Sequence, residues 1–206
     1  MDKEKWEQAY RGVERDLGAR MQKIRAFGFD RCDLRVLDLG CGDGIDMEAF
    51  HRLGFLRVIG VDLADSLLRQ LDRLRFRVFN ADVYAIGMRD ASFDVVYGNN
   101  VLHHFTQLDR ALAEIRRVLR AGGIFCFVEP HRTLFRNLVD RVTLSSLACL
   151  APSLSHRRII LEEEMEDYHN WLKNQDSLPE RLARHGFELV ACKRGIFRLF
   201  GKWRAI

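Results

Sequence analysis

The stretch Val36-Leu37-Asp38-Leu39-Gly40-Cys41-Gly42-Asp43-Gly44 constrains this chain more than any other. An apolar, β-type run meets three glycines at alternate positions, and an amphipathic helical pattern follows from Ile45. A buried strand that stops at glycines and restarts as a helix lets backbone approach a ligand closely. The helix start then presents N–H groups to acceptor atoms. The dinucleotide fingerprint is G-x-G-x-x-G. This chain reads G-x-G-x-G, with Asp38 two residues before the first glycine.

The same rhythm continues downstream. Strands are predicted at Arg35–Leu39, Arg57–Val61, Phe76–Phe79, Phe93–Tyr97 and Ile124–Val128. Between them lie helical patterns over Ile45–Leu53, with Gly54 as its C-cap, over Leu67, Leu68, Leu71 and Leu74, and over Leu108–Leu119, closed by Gly122-Gly123. Strands alternating with helices of about ten residues imply βαβ units. The expected fold is therefore α/β: a doubly wound, mostly parallel seven-stranded sheet with helices on both faces. Phe187–Cys192 and Ile196–Gly201, joined by Lys193-Arg194-Gly195, read as a terminal hairpin that makes one strand antiparallel. Ligands in such sheets bind outside the carboxyl ends of the strands. Those ends carry Gly40-Cys41-Gly42, Asp62, Asp82, Gly98-Asn99 and Glu129.

Composition bounds the class. A chain of 206 residues, 48% hydrophobic and 30% charged, is most simply one domain spanning 1–206. The net charge of +4 is spread along the chain, so nucleic acid is not an indicated partner. Five scattered cysteines, with no C-x-x-C pair, suit reduced thiols in a cytoplasm and no metal site. The N-terminus lacks a signal-peptide core, and the least polar run, Val142–Leu154, is too short to span a bilayer.

Two segments stand outside the rhythm. Residues 1–30 carry Trp6, Tyr10, Val13, Leu17, Met21 and Ile24 at helical spacing and are expected to cap the sheet, either as packing or as a cover over a ligand. Residues 131–180 form a helical insertion after the fifth strand, longer than a connection needs. Its apolar residues Leu134, Phe135, Leu138, Val139, Val142, Leu144, Leu147 and Leu150 are open to four uses: packing on the sheet, lining an acceptor pocket, a homodimer face, or a membrane-surface contact.

Asp62 ends the second strand eighteen residues after Gly44, where a carboxylate can accept from both ribose hydroxyls. With it stand Gly60-Val61-Asp62, Asn80-Ala81-Asp82-Val83, Phe93-Asp94-Val95-Val96-Tyr97, Val101-Leu102-His103-His104 and Arg117-Val118-Leu119-Arg120-Ala121-Gly122-Gly123. Over about residues 35–130 the chain resembles the class I (seven-stranded, Rossmann-like) S-adenosylmethionine (SAM)-dependent methyltransferases, of the type that acts on small molecules. The resemblance implies that Gly40, Cys41 and Gly42 cradle the methionine and ribose of SAM, with Asp38 and the backbone at Gly98 or Asn99 near its ammonium. It implies that Asp62, next to Leu63, holds the ribose, and that Asp82 and the Val83 N–H hold the adenine. For Asp38 and Asp82, plain turn chemistry is the alternative.

Methyl transfer from a sulfonium needs an in-line nucleophile, positioning, and a base where the acceptor carries a proton. His103, His104, Glu129 and His131 lie at the correct rim as candidate catalytic groups; each has a structural alternative. No Asn/Asp-Pro-Pro-Tyr follows the fourth strand and no Pro-Cys occurs, which argues against DNA base methylation. The expected activity is methyl transfer from SAM, leaving S-adenosylhomocysteine, to oxygen, nitrogen or carbon of a small organic molecule. A protein or RNA methyltransferase and a catalytically inactive SAM-binding subunit are the rivals; a dehydrogenase is more distant.

Overall fold

The computed structural model describes residues 17–145, 158, 161–162 and 165–206. Helix α1 spans Leu17–Arg25, followed by β1 Arg35–Leu39, α2 Ile45–Arg52, β2 Arg57–Asp62, α3 Asp65–Leu68 and β3 Arg77–Asn80. Strand β4 Phe93–Asn99 leads through a 3₁₀ turn, Leu102–His104, to α4 Leu108–Val118 and β5 Leu119–Pro130. Helices α5 Leu134–Leu144, α6 Met165–Asn174 and α7 Leu178–Arg184 precede β6 Phe187–Arg194 and β7 Arg198–Ala205.

The seven strands form one sheet in the order β3-β2-β1-β4-β5-β7-β6. The first five pair in parallel, and β7 runs antiparallel to both β5 and β6. β1 and β4 are buried on both faces, which is why they read as continuous apolar runs. Val36, Val58, Val95 and Tyr97 face the layer of α1, α2 and α3. Leu37, Leu39, Val61, Val96 and Phe125 face α4, α6 and α7. Gly60 has no space for a side chain: a Cβ there would lie 2.6 Å from Met47 Sδ and 2.7 Å from Cys41 Sγ. That gap lets α2 and the turn before it press onto β2.

Several boundaries differ from expectation. The helix after β2 stops at Leu68, and Leu74 is fully exposed. Asp72 redirects the chain: its Oδ1 accepts the Leu74 N–H at 2.9 Å, and its carbonyl accepts from Arg75 and Phe76. β5 begins at Leu119 rather than Ile124, because Leu119 already pairs with Phe93 while Asp94 holds Arg120 at 2.8 Å. Of the N-terminal stripe, Leu17, Met21 and Ile24 pack beside β1 and β4, whereas Trp6, Tyr10 and Val13 lie outside the described residues. In the insertion, Leu134 (89% exposed), Phe135 and Leu138 (58% exposed) do not pack on the sheet. Buried in their place on α5 are Arg136, Asp140 and Thr143. Leu147 and Leu150 lie outside the described residues.

Candidate functional site

The glycine turn is bound to its neighbour strand. Gly40 and Cys41 N–H both donate to the Val61 carbonyl, at 2.8 and 3.0 Å, and Gly42 N–H donates to Asp62 Oδ2 at 2.8 Å. Gly44 N–H closes the turn onto the Cys41 carbonyl. Four of the turn's backbone N–H groups are therefore taken up within the protein. Gly40 has φ +70°, and a Cβ there would sit 2.4 Å from Val101 Cγ2. Only glycine lets the chain turn while the loop after β4 lies directly against it.

Asp62 holds the second strand end to the turn, since its other oxygen accepts Ala64 N–H at 2.8 Å. Each carboxylate oxygen accepts more than one hydrogen bond, so capacity for hydroxyl donors remains. Asn80 stands beside it and donates to the carbonyls of Asp62 and Leu63, at 3.0 and 2.9 Å. Leu63 is exposed. Asp82 Oδ1 accepts Tyr84 N–H at 2.9 Å and forms a local bend with Ala85, the turn chemistry that aspartate favours. Val83 packs half-buried next to it. Cys41 is buried, and burial together with Asp38 pushes its thiol far above the ordinary range, so it is no nucleophile.

A buried acidic pocket lies at the carboxyl end of β1 and β4. Asp38 and Tyr97 are register partners on those strands. Asp46, in the first turn of α2, accepts from Asn99 Nδ2 and from Arg20 Nη1, each at 2.9 Å. Asp38 Oδ2, Asp46 Oδ1, Asn99 Oδ1 and Tyr97 OH are buried with no hydrogen-bond partner among the described residues. Burial, then the neighbouring Asp46 charge, raises the Asp38 carboxyl well above the usual carboxylate range. Buried acceptors without donors are costly unless something fills them. Three of these atoms, on Asp38, Asp46 and Asn99, are acceptors without a donor, and an ammonium supplies three N–H groups.

The candidate catalytic side chains fall into two groups. Glu129 is fully buried at the end of β5; its Oε1 accepts Val101 and Leu102 N–H at 2.7 and 2.8 Å, and its Oε2 meets His103 Nδ1 at 2.7 Å. A carboxylate accepts, so Nδ1 carries the proton and Nε2 keeps the lone pair in neutral His103. The His104 ring lies 4.1 Å from that of His103, and Tyr168 of α6 stands edge-on at 6.5 Å. Tyr168 OH donates to Asp140 Oδ2 at 2.8 Å and accepts from Arg136 Nη1 at 2.6 Å, while Arg136 Nη2 donates to the Phe197 carbonyl. His131 stands apart, its Nδ1 donating to the Gly195 carbonyl at 2.6 Å.

The structure thus joins His103, His104 and Glu129, and gives His131 a place at the β6–β7 turn. Arg20, Asp46, Arg136, Asp140 and Tyr168 belong to these networks without having been singled out in the sequence. An acidic residue in a first helical turn reads only as dipole complement. The Arg136–Tyr168–Asp140 link spans 32 positions and has no local signature.

Comparison with known proteins places this geometry. Residues 37–127 match the methyltransferase domain family. The chain is 37% identical over 167 residues to a malonyl-[acyl-carrier protein] O-methyltransferase of Geobacter sulfurreducens, covering 76% of this chain and 56% of that protein. It is 34% identical over 100 residues to the 27-O-demethylrifamycin SV methyltransferase of Amycolatopsis mediterranei, covering 43% and 38%. A SAM-dependent methyltransferase structure from Mesorhizobium loti shares the fold with TM-score 0.63 and 18% identity, over 89% of this chain and 96% of that one. The chain spans about half or less of the curated relatives it matches first. Its fold is that of the class I, Rossmann-like SAM-dependent methyltransferases, and residues 37–127 match their methyltransferase domain.

Proposed function

We propose that the protein transfers a methyl group from SAM to a small organic acceptor in the cytoplasm, with residues 131–180 covering the acceptor. The observation that carries this reading is the buried set of unpartnered acceptors on Asp38, Asp46 and Asn99 beside the glycine turn. These residues fit SAM: the acceptors take its ammonium, Asp62 takes ribose hydroxyls, and Asp82 with Val83 N–H takes adenine. When bound, SAM supplies an electrophilic methyl on a sulfonium. Glu129 fixes the loop carrying His103 and sets its tautomer, so Nε2 receives the proton of an acceptor hydroxyl. The two named relatives favour oxygen, being by name an O-methyltransferase and a methyltransferase of an O-demethyl compound. The exposed apolar side chains of α5 suit an acceptor with an apolar body.

Calorimetric titration of SAM, S-adenosylhomocysteine and NAD into wild type, Asp38→Ala and Asp62→Ala tests the cofactor. Micromolar binding of the first two, weakened at least about tenfold in each variant and absent for NAD, is expected. NAD binding, or no binding by folded wild type, refutes it. Acceptor screening of metabolites, RNA and protein then separates the small-molecule reading from its rivals, and failure with all three favours an inactive SAM-binding subunit.

A further inference from the structure

A second cleft opens at the other end of the sheet. Arg35, Arg57 and Arg77 begin three adjacent parallel strands, whereas Asp38 and Asp62 lie toward the carboxyl ends. Arg35 is the register partner of Arg57, and Arg77 that of Ile59, two residues further along β2. Parallel partners project to one face and alternate positions share it. All three arginines therefore stand on the same face. Arg89 joins them from the loop between β3 and β4. Among the described residues that crossover carries no helix, and the face it leaves open is a cleft of about 560 Å³. Its apolar lining includes Leu56, Ile59 and Met88.

The charge in this cleft is unbalanced. No acidic residue lines it. Arg57, Arg77 and Arg89 have no ion-pair partner among the described residues. Arg35 shares the single carboxylate of Asp94 with Arg120, at 3.3 and 2.8 Å. Asp33, which feels the charge of Arg57, is already held by Nε and Nη2 of Arg31. Like charges directly opposite on neighbouring strands are destabilising, and an anion bound between them removes that repulsion. Guanidinium forks match phosphate oxygens two at a time. The volume lies in the range of small-molecule pockets, and the arginines are clustered in a recess rather than drawn out along a stripe.

From this we infer that the cleft at the amino ends of β1, β2 and β3 binds a small organic phosphate, whose phosphoryl groups sit among Arg35, Arg57, Arg77 and Arg89 and whose body covers Leu56, Ile59 and Met88. The site is separate from the glycine turn and does not depend on the methyltransferase reading. The test titrates inorganic pyrophosphate, ADP, citrate and a single-stranded RNA oligonucleotide, at matched ionic strength, into the full chain followed by amide NMR. Pyrophosphate and ADP are expected to move the amides of residues 35, 57, 77 and 89 with dissociation constants below about 1 mM, with ADP the tighter. The Arg57→Ala/Arg77→Ala double variant is expected to bind both at least about tenfold more weakly, with the amide spectrum outside the cleft unchanged as the control for folding. Arg57→Lys/Arg77→Lys, which keeps charge without the fork, is expected to fall between. Equal binding of citrate, unchanged affinity in the alanine variant, or tighter binding of the RNA overturns the inference.

Discussion

Glu129→Gln separates a positioning role from a merely structural one. In wild type the Glu129 carboxylate accepts three donors: two backbone N–H groups and His103 Nδ1–H. Alanine would leave all three buried and unmet at about 1–3 kcal/mol each, of order 3–9 kcal/mol together. That is comparable with the whole stability of about 5–15 kcal/mol of a folded domain, so Glu129→Ala is a poor probe of chemistry. Glutamine keeps an oxygen for Val101 and Leu102 N–H and turns an NH₂ toward His103. Nδ1 must then accept, and the ring proton moves to Nε2. Exchanging a carboxylate for an amide costs on the order of 1–2 kcal/mol, equivalent to a fall in melting temperature of about 2–8 °C. S-adenosylhomocysteine affinity is expected to stay within about threefold, since the cofactor pocket is untouched. Nitrogen-15 histidine NMR is expected to show the His103 proton at Nδ1 in wild type and at Nε2 in the variant, with no acceptor needed. Once an acceptor is in hand, loss of the base is expected to lower kcat by about 10²–10⁴-fold. A variant with the swapped tautomer and kcat within about fivefold of wild type would refute His103 as the base.

Binding of SAM is expected to tighten as pH rises through the Asp38 titration, because burial and Asp46 hold its proton on until a cation arrives. Calorimetry in buffers of different ionisation enthalpy is expected to show proton release, and Asp38→Asn to abolish it. Lys23 is pushed down to about 8 by burial and by Arg20 and Arg198. Below that pH it is charged in both folded and unfolded states and its burial penalty is fully present; the penalty fades as pH rises from there toward the unfolded value. Lys23→Met is therefore expected to stabilise by about 1–3 kcal/mol at pH 7, and by less at pH 10, in urea denaturation. Tyr168→Phe removes the hydroxyl shared by Arg136 and Asp140 and is expected to cost about 2–4 kcal/mol in the same assay. A cost below about 0.5 kcal/mol would show that solvent replaces the hydroxyl.

The sheet was legible because its strands are short apolar runs ending in glycine or acid, and because β-α alternation admits few topologies. The hairpin of β6 and β7 was legible from Lys193-Arg194-Gly195, although both strands extend further than their apolar cores. The helix after β2 was misjudged because Leu71 and Leu74 keep helical spacing while Asp72 supplies a competing turn. In the site, glycines and strand-end acids announce themselves by position. Their partners do not: Arg20 meets Asp46 across 26 residues and Arg198 meets Asn100 across 98, distances over which side-chain pattern carries no register.

The insertion of β7 between β5 and β6 fixes the order in which the sheet can be completed on the ribosome. Every strand up to β5 finds its parallel neighbours among residues already made, but β6 has no partner until β7 exists. Until β7 has emerged, β5 presents an open edge and β6 is held through α7 and the packing of Phe187 on Phe125, without strand pairing. A nascent chain halted before β7 would thus carry a complete glycine turn and Asp62 on a sheet with an exposed, apolar border, the kind of edge that recruits other chains. Chaperone demand during synthesis should therefore peak while β6 and β7 emerge rather than at the insertion.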